Sequence, residues 1–187
     1  MTPDPNFAIL WRMLILPQPK DAMTTNPTSL DPELWRVVTD QYHAPGYSVH
    51  GPDHWRRVER NGLLLATRTG ADTTVVQLFA LFHDSRRENE YTDEGHGARG
   101  AEYAATLRGT AYDLSDERFQ LLHYACVWHT EGGHHDDPTI GTCWDADRLD
   151  LGRVGVIPEP KFMSTDFGRE IAAHGSIQPF IQSTAIK

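Results

Sequence analysis

Apolar residues recur at helical spacing along most of this chain, and turn residues separate the stretches where they do. Asp31-Pro32 opens the first stretch, with Asp31 suited to cap a helix and Pro32 to its first position. Leu34, Trp35 and Val38 then share one face. Ala44-Pro45-Gly46 and Gly51-Pro52 mark a loop, after which a second helix is predicted from Asp53 to about Thr67, with Trp55, Val58 and Leu65 inward. Gly70-Ala71-Asp72 separates it from Thr73–His83, where Val75, Val76, Phe79, Ala80 and Phe82 imply deep burial. The β-branched start of this segment also reads as a strand, but its length and its Ala-Leu-Phe continuation favour a helix. A small-residue helix is predicted from His96 to Leu107. Another starts at Ser115 and runs through Trp128, and a last one opens at Asp137-Pro138 and ends near Leu151.

No series of strand–turn–strand signals and no internal repeat occurs, so the expected class is all-α. Residues 1–30, rich in Pro, Thr and Asn, read as a flexible leader, and 31–155 as the helical domain. Residues 156–187 are punctuated by Pro and Gly and are expected to form an irregular extension with one short helix.

At 187 residues the chain is long enough for one domain with a core that needs no disulfide staples. Seventeen Lys and Arg against 26 Asp and Glu leave a formal charge of −9, which argues against broad binding of nucleic-acid polymers. It does not bear on a small phosphorylated ligand held in a local basic pocket. Phe7–Leu16 is interrupted by Arg12 and ends at Pro17, too short for a membrane span, so a cytoplasmic location is expected. Cys126 and Cys143 are the two cysteines, against ten histidines, so any metal must be held by nitrogen and oxygen.

His83-Asp84 closes the most apolar helix, where burying a carboxylate without a partner is expensive. Adjacent helical residues point about 100° apart, so both reach one cation only where the helix ends, as Ser85-Arg86-Arg87 implies. His54 lies in the first turn of its helix and Asp147 in Trp144-Asp145-Ala146-Asp147-Arg148-Leu149-Asp150. A histidine, a His-Asp pair and an aspartate, each on a different predicted helix, form the pattern of a metal site in a bundle core.

On these residues the chain resembles the HD-domain superfamily of metal-dependent phosphohydrolases, over about residues 45–152. The resemblance implies a helical bundle with His54, His83, Asp84 and Asp147 around a metal in its core. His96 in His-Gly-Ala-Arg-Gly-Ala and His129 in Trp-His-Thr-Glu-Gly-Gly resemble the extra histidines of the branch that holds two metals. Thr130 and the lack of a Gly-Tyr-Pro string depart from the HD-GYP members of that branch. The implied cofactor is one or two divalent transition-metal ions (Fe, Mn, Zn or Ni), bridged by Asp84 if two. The implied reaction is hydrolysis of a small phosphoester or nucleotide by a metal-activated water, with His83 and Asp84 at its centre. Arg86, Arg87, Arg99 and Asn89 are the expected substrate contacts, because guanidinium groups match phosphate, and Glu90 and Asp93 are placed to orient them. HD-like proteins with extra histidines also include diiron oxygenases. A third reading is a non-catalytic metal-containing module that binds a ligand.

Asp145 competes with Asp147 as a ligand, and the Ala-Asp-Arg-Leu string favours Asp147. Asp150 is expected to pair with Arg148 or Arg153. His43, His50, His123, His134 and His135 receive no ligand role. The five tryptophans, Trp11, Trp35, Trp55, Trp128 and Trp144, are expected as core or rim aromatics.

Overall fold

The computed structural model describes residues 29–43 and 48–184, so most of the predicted leader lies outside the described residues. Among these residues it contains eight α-helices, two short 3₁₀ segments and no strand. The helices are α1 (Pro32–Asp40), α2 (Pro52–Thr69), α3 (Thr73–Phe82), α4 (His96–Leu107), α5 (Asp116–Trp128), α6 (Pro138–Arg148), α7 (Asp166–His174) and α8 (Gln178–Thr184). Local chemistry sets several of their starts. Asp31, Asp72 and Asp137 each accept hydrogen bonds from backbone N–H groups of the first turn, which otherwise lack partners. Pro32, Pro52 and Pro138 stand at the first helical position, where a missing N–H costs nothing.

α3 is the central element: every residue from Val75 to Phe82 is buried. It packs against α2, α5 and α6, while α4 lies across α5 and the end of α3. Trp55, Val58 and Leu65 of α2 and Cys143, Trp144 and Ala146 of α6 complete the core around it. Glycines allow the closest approaches. A Cβ at Gly100 would overlap the Phe82 carbonyl, and one at Gly97 would overlap the Cys126 carbonyl. α4 therefore lies tight against the ends of both α3 and α5, which sets where His96 points.

Residues 156–187, expected to be irregular with one short helix, instead carry two α-helices. Phe167, Ile171 and Ala172 of α7 are buried with Met163 and Ile177 in the common core, and both α7 and α8 pack on α2. Ser164-Thr165-Asp166 ahead of Phe167 and Ile171 carried that signal, since Thr165 caps α7 and the two apolar residues lie one turn apart. Trp35, Trp55 and Trp144 are core residues and Trp128 is half-exposed, while Trp11 lies outside the described residues. No helix of the described residues is long and apolar enough to cross a membrane.

Candidate metal centre

Helix ends converge on one buried point. His54 comes from the first turn of α2, His83 from the C-cap of α3 with Asp84 in the following turn, and His96 from the first position of α4. His129 caps the C-terminus of α5, and Asp147 lies in the last turn of α6. The structure thus brings all six sequence-derived candidates together. His54, His83 and Asp84 offer ligand atoms within 4.8 Å of one another, and so do Asp84, His96 and His129.

The two groups share Asp84 through different oxygens. Oδ2 lies 3.7 and 3.6 Å from Nε2 of His54 and His83, and Oδ1 lies 3.2 and 3.6 Å from Nε2 of His96 and His129. Asp147 Oδ1 adds to the first group, 3.2 Å from His54 Nε2 and 3.9 Å from His83 Nε2. Its side chain is 19% exposed, the most open of the six, so solvent meets the cluster there.

The imidazoles are oriented alike. Nδ1 of His54 donates to Asp150 at 2.7 Å, that of His83 to the Phe79 and Ala80 carbonyls, that of His96 to the Asp93 carbonyl, and that of His129 to the Cys126 carbonyl. These acceptors select the tautomer with hydrogen on Nδ1 and leave the Nε2 lone pairs turned inward. Nε2 of His54 is 3.1 Å from that of His83, and Nε2 of His96 is 2.9 Å from that of His129. At these distances each pair either shares a proton or converges on one cation. Asp84 Oδ1 is itself fully buried and has no hydrogen-bond partner, a second mark of a position built for a positive ion.

The electrostatics agree. Burial holds His83 down to about 3, so its ring is neutral. Burial also works against protonation of His54 and His129. Asp147 and Asp150 more than offset it at His54, and Asp84 does so at His129, so both are pushed up. Burial would raise Asp84 and Asp147, yet the surrounding imidazoles hold both carboxylates below their usual range. A set of imidazoles and carboxylates whose electrostatics draw in positive charge suits a borderline divalent ion. The cysteines take no part: both thiols are buried and burial pushes them up.

The expected substrate contacts divide. Arg87 reaches the cluster, with Nη1 3.5 Å from Asp84 Oδ1 and 3.2 Å from His96 Nε2. Arg86 instead stacks on Tyr103, Arg99 pairs with Asp93 at 2.6 Å, and the Asn89 side chain accepts from Tyr91 N in its own loop. Arg86, Arg87 and Arg99 nevertheless line one groove of about 860 Å³ together with Ser85.

Asp145 is fully buried and accepts from Ser164 N, Thr165 N and the Thr165 hydroxyl, so it anchors the start of α7 rather than facing the cluster. Of the two partners expected for Asp150, Arg153 pairs with it at 3.8 Å, while Arg148 donates to the Phe162 and Gly132 carbonyls. The closest partners of Asp150 are His54 and Arg57, which the sequence reading did not name. His50 also stands beside the cluster, its ring 6.4 Å from that of His54 and its Nδ1 3.0 Å from Glu90. His123 pairs loosely with Glu102, at 3.5 Å.

No protein-family model matches the sequence, and no curated protein does either. A crystal structure at 1.45 Å from an uncultured Thermotogales bacterium, described as a predicted HD superfamily hydrolase, is similar in fold. Its TM-score is 0.62 at 25% sequence identity, over 82% of this chain and 90% of that one. In its helical fold and its buried histidine–aspartate core, the chain is HD-domain-like, as the resemblance in its sequence implied.

Proposed function

We propose that this protein is a metal-dependent phosphohydrolase acting on a small phosphoester or nucleotide, with two divalent ions held side by side. The observation that carries the reading is Asp84, whose two buried oxygens each face a different pair of inward-turned imidazoles. His54, His83 and Asp147 would hold one ion and His96 and His129 the other, with Asp84 shared. Bound there, the pair would supply an activated water and neutralise charge on the phosphoryl group.

The remaining work falls to the chain. Backbone carbonyls and Asp150 keep the imidazole rings in register. Arg87 extends a guanidinium to the edge of the cluster, where its planar fork of donors matches phosphate oxygens. The open flank at Asp147 is the side from which substrate arrives, and the groove lined by Arg86, Arg87 and Arg99 takes the rest of an anionic molecule.

Phosphate release from a panel of small phosphoesters and nucleotides tests the reading. Wild type should hydrolyse members of the panel, Asp84→Asn should release none, and Arg87→Gln should raise KM about tenfold or more. Release by Asp84→Asn at the wild-type rate would contradict it. The same two-triad layout favours a second reading, an HD-type diiron oxygenase. Bound iron with substrate-dependent oxygen uptake would select that reading, and phosphate release under anaerobic conditions would exclude it as the main activity.

A further inference from the structure

Apart from the metal cluster and its groove, a cavity of about 480 Å³ lies among α2, the 3₁₀ segment Leu151–Val154 and the α7–α8 connection. Asp150 lines it, but none of the six candidate ligands does. Three arginines, Arg57, Arg60 and Arg153, face this one acid in a protein whose formal charge is −9. Among the cavity's lining residues arginines outnumber acids by two. Arg57 Nε bonds both Asp150 oxygens, at 2.8 and 3.1 Å. Arg153, with a side chain 10% exposed, is pinned by bonds to the Val49 and Asp150 carbonyls. Arg60 stands one turn after Arg57 on the exposed side of α2, so the two guanidinium groups share a face.

The other walls are of a different kind. Val156, Ile157, Ile171 and Ile177 supply apolar surface, and Ser176 and Gln178 supply neutral hydrogen-bonding groups. Ile157 is 71% exposed and Val156 49%, so the apolar wall is open to a ligand from solvent. A volume of this size is in the range of small-molecule pockets.

We propose that this cavity is a binding site for a small phosphate monoester or phosphonate, separate from the metal cluster. A dianionic phosphate group matches the surplus of two positive charges, and a guanidinium fork matches its oxygens. The apolar wall takes the organic part. The C-terminal helices therefore complete a second pocket as well as the core.

Phenylphosphonate, which cannot be hydrolysed as an ester, is the probe, with phenylacetate as its singly charged counterpart. Titrated at pH 8 into the full chain as purified, phenylphosphonate should shift the amide NMR signals of Gly152, Gly175 and Ser176. Arg60→Ala and Ile157→Glu, both at exposed positions outside the metal cluster, should each weaken that binding about tenfold. Phenylacetate should bind about tenfold more weakly than phenylphosphonate. Shifts confined to residues around His96 and His129, or affinity unchanged in both variants, would overturn the site. Equal binding of the two probes would overturn its assignment to phosphate. None of these readouts depends on turnover, so the hydrolase reading and this one fail separately.

Discussion

Asp150 Oδ2 lies 2.7 Å from Nδ1 of His54, and the same carboxylate is held by Arg57. A carboxylate behind a metal-binding imidazole fixes its tautomer and makes Nε2 a better donor. Asp150→Asn keeps the shape and loses the charge. Metal affinity, measured by competition with a chelator, should fall about tenfold or more. Unchanged affinity would remove Asp150 from the account.

Asp145 and Asp147 are two residues apart and separate cleanly by experiment. Asp145 carries three hydrogen bonds from Ser164 and Thr165, so Asp145→Ala should destabilise the fold by about 3 kcal/mol in urea unfolding and leave metal content intact. Asp147→Ala should do the reverse, lowering metal content with little loss of stability.

Gly97 sets the distance between α4 and α5. A Cβ there would overlap the Cys126 carbonyl and stand 3.0 Å from Nδ1 of His129. Gly97→Ala should cost about 1–3 kcal/mol and push His129 away from His96. Thermal unfolding and metal content report the two effects independently, and loss of stability with full metal content would show that the cluster tolerates the shift.

Acid should weaken the start of α3. Burial would raise Asp72, but Arg118 and the N–H groups of Val75 and Thr74 outweigh it, so its folded value lies below the unfolded one. Its stabilisation is therefore complete above the unfolded value of about 4 and is lost as pH falls below that through the depressed folded value. Asp72→Asn should cost about 1 kcal/mol at pH 7 and flatten the loss of stability as pH falls below about 4. An equally steep acid profile in the variant would place that loss elsewhere.

The helices from α1 to α6 were legible because Asp caps, N-terminal prolines and a 3.6-residue apolar period agree along them. One short helix was expected beyond residue 155 where α7 and α8 stand, because Gly168 and Gly175 read as breakers. Gly168 is in fact a contact point, since a Cβ there would overlap Asp145 Oδ2, and Gly175 ends the helix at φ 77°. His54, His83, Asp84 and Asp147 could be read from residue types and order. Asp150, His50 and Glu90 could not, because their roles depend on how α2, the loop before α4 and the end of α6 meet in space. Asp93 was expected to orient the neighbouring arginines from its place beside the motif, and it holds the Arg99 guanidinium at 2.6 Å.

Sharing of Asp84 between two ion sites fixes the number of metal ions per chain, which elemental analysis reads. Wild type should hold two divalent ions per chain, His129→Ala one, and Asp84→Ala none. Two ions retained in His129→Ala, or fewer than one in metal-replete wild type, would contradict it.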